Sequence, residues 1–150
     1  MKNIEEFAKN TGLELQDAID LKSHLFLNKY DFPAYDEKGL YFYKSRLTPD
    51  PEVTYAFHKV LEGEFTSAQK QWFQQLKAHE LDEKDRMDNK GEYYRHPDSS
   101  DFESKTWKSK PPGAHDNAVD QPEFGTFPGY KENSSTFYKI KKGDEYDIVF

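Results

Sequence analysis

Apolar positions along this chain change period several times, and each change marks an element. Leu15, Ile19, Leu21, Leu25 and Phe26 make a broad helical stripe over Leu13 to Lys29, entered after Gly12; Ile4 to Lys9 gives a weaker turn or two. Val53, Ala56, Phe57, Val60 and Leu61 then recur at helical spacing over Thr48 to Leu61. Thr48-Pro49-Asp50-Pro51-Glu52 places a capping residue and a proline at that helix's start, and Gly63 would close it as a left-handed cap. Thr66-Ser67-Ala68-Gln69 fits a capping box and opens a helix that runs to Met87. The connection is short, so the two helices should pack as an antiparallel pair. Before them, Phe32 to Leu47 breaks the helical pattern. Leu40-Tyr41-Phe42-Tyr43, following Glu37-Lys38-Gly39, reads as a short extended piece or hairpin arm.

Residues 88 to 135 are rich in Pro, Gly, Ser, Asp and Asn, and read as irregular chain anchored by Phe102, Trp107, Phe124 and Phe127. Thr136 to Ile140, a Lys142-Gly143-Asp144 turn, and alternating Tyr146, Ile148 and Phe150 predict a C-terminal β-hairpin. The expected fold is therefore α+β. Its N-terminal two thirds are mainly helical, followed by a Pro/Gly-rich segment and the hairpin. We read residues 1–150 as one domain, with a motif-bearing helical region over 12–96 and a loop-rich tail over 97–150.

The helix from Thr66 to Met87 carries the chemistry. Trp72, Leu76, His79, Glu83 and Met87 share one face, at steps of four, three, four and four residues. An apolar stripe thus runs into an imidazole and a carboxylate, groups that buried sites accept when hydrogen-bonded, paired or bound to metal. His79 and Glu83 can approach one point from one side of the helix, with Glu80 beside them.

Composition narrows the reading. The chain has 150 residues, 35% of them hydrophobic and 16% aromatic (Phe 12, Tyr 10, Trp 2), so its core must be built largely from rings. A net charge of -7 weighs against a dedicated nucleic-acid binder, without excluding a local basic cleft. With Cys 0 there is no disulfide framework, thiolate nucleophile or Cys-bound zinc. No apolar run approaches the length of a signal peptide's core or a membrane span.

A helical H-E-x-x-E supplies two metal ligands one turn apart, His79 and Glu83, and a neighbouring carboxylate, Glu80, as general base. With Glu in the last position, zinc is still served, but so are harder ions. The third ligand would come from His96, His115 or His24, while His58 lies off the apolar stripe and is assigned a surface role. The competing reading is a solvated polar helix end, because charged residues dominate Lys77 to Lys90.

Several pieces in order resemble one module: Leu21-Lys22-Ser23-His24-Leu25-Phe26, Asp50-Pro51-Glu52-Val53 with Ala56, Leu61-Glu62-Gly63, and Leu76-Lys77-Ala78-His79-Glu80 with Glu83 and Met87. It is similar to the C-terminal toxin module of bacterial polymorphic toxins of the Rhs and LXG types, and the match covers roughly residues 12 to 96. That module continues with Y-x-x-A-H. Tyr93-Tyr94-Arg95-His96 resembles this piece with one residue and its alanine missing, which carries the downstream histidine onto His96. Ala114-His115-Asp116-Asn117-Ala118 resembles an A-H-x-x-A ending farther along, so His96 and His115 both stay open as the third ligand. The resemblance implies an antibacterial toxin domain, hydrolytic in character, with a cognate immunity protein as partner. It would be made in the bacterial cytoplasm and carried to other cells by a specialised secretion system.

Three functions follow. In the first, His79, Glu83 and His96 bind a divalent metal, zinc before others, and Glu80 deprotonates its water to hydrolyse a peptide-like substrate. In the second, a toxin nuclease uses His24, His79 and His96, with Lys22, Arg86 and Arg95 on the phosphate. In the third, an acidic immunity or inhibitor protein has no catalysis, an exposed acidic patch and His79 facing water.

Overall fold

The computed structural model describes residues 1, 3–101 and 106–137. In chain order they form helices α1 (Ile4–Thr11) and α2 (Leu15–Lys22), a π-helical turn (Ser23–Leu27), and strands β1 (Lys29–Asp36) and β2 (Gly39–Arg46). Helices α3 (Pro51–Val60) and α4 (Ser67–Asn89) follow, then a 3-10 turn (Pro97–Ser99) and two short strands, β3 (Ser100–Asp101) and β4 (Thr106–Trp107). The last elements are α5 (Ala114–Asn117) and α6 (Tyr130–Phe137). The fold class is α+β, as the sequence pattern requires. Of the expected C-terminal hairpin, Thr136 and Phe137 close α6, and the rest lies outside the described residues.

The helix starts obey local chemistry. Asp50 caps α3 by accepting from the Val53 N–H at 2.8 Å, and Pro51 fills the first position, where no amide is needed. The capping box of α4 is complete: the Thr66 N–H donates to Gln69 Oε1 (2.9 Å), and the Gln69 N–H donates to Thr66 Oγ1 (3.2 Å). The end of α3 differs from expectation. Leu61 and Glu62 donate back to His58 and Lys59 in tight turns, and Gly63, at φ 146, begins an extended connection instead of a left-handed cap. The left-handed cap is found at Gly12, φ 77, whose N–H reaches the Ala8 carbonyl at the end of α1.

The second helical stripe also ends early. Its last turn widens into the π-turn, where the Asn28 N–H reaches back five residues to Ser23 O at 2.7 Å, and β1 begins at Lys29. The hairpin is longer than its expected arm. It pairs antiparallel from Lys29↔Arg46 to Asp36↔Gly39 around Glu37-Lys38. Residues Leu40 to Lys44 are all exposed, so the strand shows no inside-outside alternation for a pattern to reveal.

The core is aromatic. Phe7 of α1 stacks on Phe57 of α3 at 4.9 Å between ring centroids and meets Phe73 of α4 edge-on at 5.7 Å. Phe57 and Phe73 touch at 5.4 Å, so the expected α3–α4 pair meets through rings with α1 wedged against it. The backbone of α4 lies close to α2, to the π-turn and to α5. Each favourable ring pair adds about 0.5–1.5 kcal/mol beyond simple burial.

Beyond Asn89 the chain is largely irregular, but α5 and α6 are helices that composition alone does not reveal. Among its expected anchors, Phe127 is buried against Trp72 (4.9 Å), Trp107 is half-buried beside Tyr35, and Phe124 is 73% exposed. Phe102 lies outside the described residues. What holds Phe127 down is Glu52. Buried in the first turn of α3, its carboxylate accepts from the Gly125 N–H at 3.0 Å and the Phe127 N–H at 3.1 Å. No described helix is long and apolar enough to cross a membrane.

Candidate metal centre

The face of α4 that buries Trp72 and Leu76 continues without a break into His79 (2% exposed), Glu80 (7%) and Glu83 (1%), while Met87 is half-buried. Two partners complete the group. His24 comes from the π-turn and is wholly buried, and His115 comes from α5. Glu83 sits at the centre. Its Oε1 accepts from His24 Nε2 at 2.8 Å, and its Oε2 lies 2.8 Å from His115 Nδ1 and 3.5 Å from His79 Nε2. His79 Nε2 and His115 Nδ1 are 3.3 Å apart, and Glu80 Oε2 lies 3.4 Å from His24 Nε2.

Secondary contacts fix these rings. His79 Nδ1–H donates to the Val119 carbonyl at 2.6 Å, which turns Nε2 toward Glu83 and His115. Asp82, one turn along α4, accepts from the Val119 N–H at 2.9 Å, so α4 grips that peptide at both ends. His115 is delivered by an unusual seat. The Ala114 and His115 amides donate to the Tyr93 and Tyr94 carbonyls. A Cβ on Gly113 would meet Tyr94 O at 2.5 Å and Arg95 Cα at 2.7 Å, so only glycine lets these backbones touch. Tyr94 stacks on the His115 ring at 4.9 Å, and Arg95 pairs with Asp116 at 3.0 Å.

Of the three candidate third ligands, His115 and His24 join the cluster and His96 does not. His96 is half-exposed and caps the 3-10 turn, accepting from the Asp98 N–H at 3.0 Å; it takes no part in the cluster. His115 does. The segment Tyr93–His96 is the platform that seats α5, and its histidine stands outside the cluster. His58 is half-buried on α3, also outside the cluster. What sequence reasoning undervalued was the Ala114-His115-Asp116-Asn117-Ala118 piece, because the irregular chain before it hides its closeness to Tyr94.

Burial and charge work against each other here. Burial disfavours a charge on His24, but the hydrogen bonds and charges of Glu80 and Glu83 outweigh it and its pKa is raised. Burial opposes His79's charge too, yet Glu83 and the Val119 carbonyl carry it upward. Glu80 is raised, chiefly by burial and then by the Glu83 charge, with His24 opposing. Burial would raise Glu83 as well, but bonds from His115, His24 and His79 hold it well below the usual carboxylate range. Two neighbouring carboxyls are thus driven apart, one kept ionised and one tending to keep a proton.

The buried residues form two groups that could each hold a metal ion, His79–Glu83–His115 and His24–Glu80–Glu83, sharing Glu83. A cleft of about 480 Å³ opens onto them. Glu80, Glu83 and His115 line it together with Phe32, Tyr43, Tyr94, Trp107, Arg46 and Arg95. Neither His24 nor His79 lines that cleft. An ion on the His79 group would therefore be reached from the Glu83 and His115 side.

No protein-family model matches this chain, and neither does any curated protein or solved structure.

Proposed function

We propose that this protein is a metal-dependent hydrolase, and that it serves as a bacterial toxin domain of the kind its motif order resembles. The observation that carries the catalytic part is the convergence of His79, Glu83 and His115, two of which, Glu83 and His115, line a cleft together with Glu80. Two imidazoles and one carboxylate with an open fourth side suit catalytic zinc. Zinc bonds of roughly 2.0–2.1 Å set tetrahedral donor atoms about 3.3–3.4 Å apart. The His79–His115 and His79–Glu83 separations, 3.3 and 3.5 Å, match that spacing. The third edge, 2.8 Å, is a hydrogen bond between His115 Nδ1 and Glu83 Oε2 whose proton would have to leave for both atoms to hold an ion.

An ion held there would supply Lewis-acid chemistry to a scissile carbonyl and a water, and Glu80, raised by burial, would be the base that accepts the water's proton. Glu83 stays ionised as a ligand. The acidic chain and the mixed aromatic and polar cleft favour a peptide-like substrate, and a toxin of this type is neutralised by a cognate immunity protein. The nuclease alternative loses its residue set: His96 lies outside the cluster, His24 is sealed from the cleft, and the Lys22 ammonium is buried over the Phe7 ring. The inhibitor alternative wants His79 in water, and it is buried.

The test joins metal analysis to toxicity. The purified chain should hold one zinc. Glu80→Gln should keep fold and zinc but lose growth inhibition and peptide hydrolysis, whereas His79→Ala should lose zinc and activity together. A Glu80→Gln protein as toxic as the parent rules the mechanism out.

A further inference from the structure

We propose that Tyr30 and His24 form a fixed relay that orients Glu83 as a metal ligand, making His24 a positioning residue. The inference rests on the metal reading above and assigns a task to a histidine that reading leaves idle. His24 is 0% exposed and absent from the cleft lining, so it cannot meet a substrate. It is nonetheless hydrogen-bonded at both ring nitrogens, to Tyr30 Oη at 2.7 Å and Glu83 Oε1 at 2.8 Å.

The relay sets the direction of those bonds. The Asn28 side-chain amide donates to Tyr30 Oη at 3.3 Å, and the relay assigns the phenol's own proton to the neutral His24 ring at Nδ1. Burial strengthens that arrangement by pushing the Tyr30 hydroxyl up to about 12, so it stays a donor. With Nδ1 accepting, the ring proton sits on Nε2 and is given to Glu83 Oε1. One carboxylate oxygen is thereby pinned, and Oε2 is left to the His79 and His115 side. Outer partners of this kind fix a ligand's rotamer and charge.

The π-turn makes the relay possible. Its wider loop presents His24 toward α4, and Asn28, Tyr30 and β1 follow at once, so both relay members and the supporting Asn28 come from one short stretch of chain. Wide turns of this type recur at functional sites. The rival use of the same residues is a second ion held by His24, Glu80 and Glu83. That use needs a lone pair on Nε2, which the bonding order described here fills with a proton.

Cobalt(II) titration of the intact protein tests this, read by visible absorption and by metal stoichiometry. The parent should bind one cobalt. Tyr30→Phe, which removes only the hydroxyl, should fold normally and bind cobalt about 10- to 100-fold more weakly, with displaced ligand-field bands. His24→Gln keeps an N–H for Glu83 and should bind more tightly than His24→Leu, a rescue that a merely space-filling histidine would not show. Parent-like cobalt binding by Tyr30→Phe, or equal binding by His24→Gln and His24→Leu, overturns the relay. Two cobalt ions per parent chain, falling to one in His24→Gln, overturn it in favour of His24 as a ligand. A parent that takes up no cobalt overturns the metal centre itself, and the relay with it.

Discussion

Replacing Glu52 with glutamine is a sharp test of how the irregular segment is held to the core. The side chain is 3% exposed, and its two oxygens accept separately from the Gly125 and Phe127 amides at 3.0 and 3.1 Å. Glutamine has the same shape but only one acceptor. The other amide N–H would then face an NH₂ group, donor against donor. A hydrogen bond to a charged group contributes about 1.5–3 kcal/mol, and a buried donor left unmade costs about 1–3 kcal/mol. Partial relaxation brings the expected loss to about 3 kcal/mol, a large part of the roughly 5–15 kcal/mol that holds a domain folded. In thermal terms the midpoint should fall by about 6–12 °C for a chain of this size. Urea denaturation followed by Trp fluorescence suits the measurement, because Trp72 packs edge-on to Phe127 at 4.9 Å. Amide exchange at Gly125 and Phe127 should accelerate more than exchange within α4. Metal binding should be unchanged, since the peptide that orients His79 is gripped by Asp82 and not by Glu52. If stability drops by less than about 1 kcal/mol and both amides stay protected, the clamp is not what fixes this segment.

Three further outcomes follow from the geometry. His115→Ala should abolish metal binding while His96→Ala leaves it intact, which plasma mass spectrometry of the two purified variants will decide; the reverse result restores His96 as the ligand. Gly63→Val should cost about 1 kcal/mol or more purely through its backbone, because φ is 146 and nothing lies within 4 Å of the added Cβ; an unaltered melting curve contradicts this. The pH dependence should invert with metal. In the chelated protein His24 and His79 are raised, so their contribution is full below about 6.5 and is lost as pH climbs through their folded values; Glu83 is depressed, so its contribution is full above about 4.3 and is lost as pH falls. Stability without metal should therefore peak between those limits and decline toward pH 8, whereas the loaded protein, whose ligands must be deprotonated, should gain over the same range.

The helix that carries the site was legible because several signals agree over one stretch. Thr66 and Gln69 mark its start, and the step from Trp72 and Leu76 to His79 and Glu83 marks its buried face, which lies deeper than the core rim such a junction suggests. The π-turn was not legible. Leu25 and Phe26 keep an ordinary apolar spacing, and only the backbone reveals that the turn has widened. The hairpin was half legible, since exposed Tyr41 to Tyr43 and a proline at position 33 blur the alternation that identifies a strand. His115 was found only as an alternative. Its place in the cluster depends on a glycine–backbone contact between Gly113 and Tyr94 to His96, and local pattern carries no trace of that contact.

Helix α4 spends its N-terminal half in the aromatic core and its C-terminal half on the candidate metal ligands, with no break between them. Folding and the proposed ion binding would therefore draw on the same element and be joined by mass action. Free ion at a hundred times its dissociation constant would add about 2.7 kcal/mol to stability, and a thousandfold excess about 4.1 kcal/mol. With the proposed centre filled, the chain would be harder to unfold where free metal is plentiful than where it is scarce.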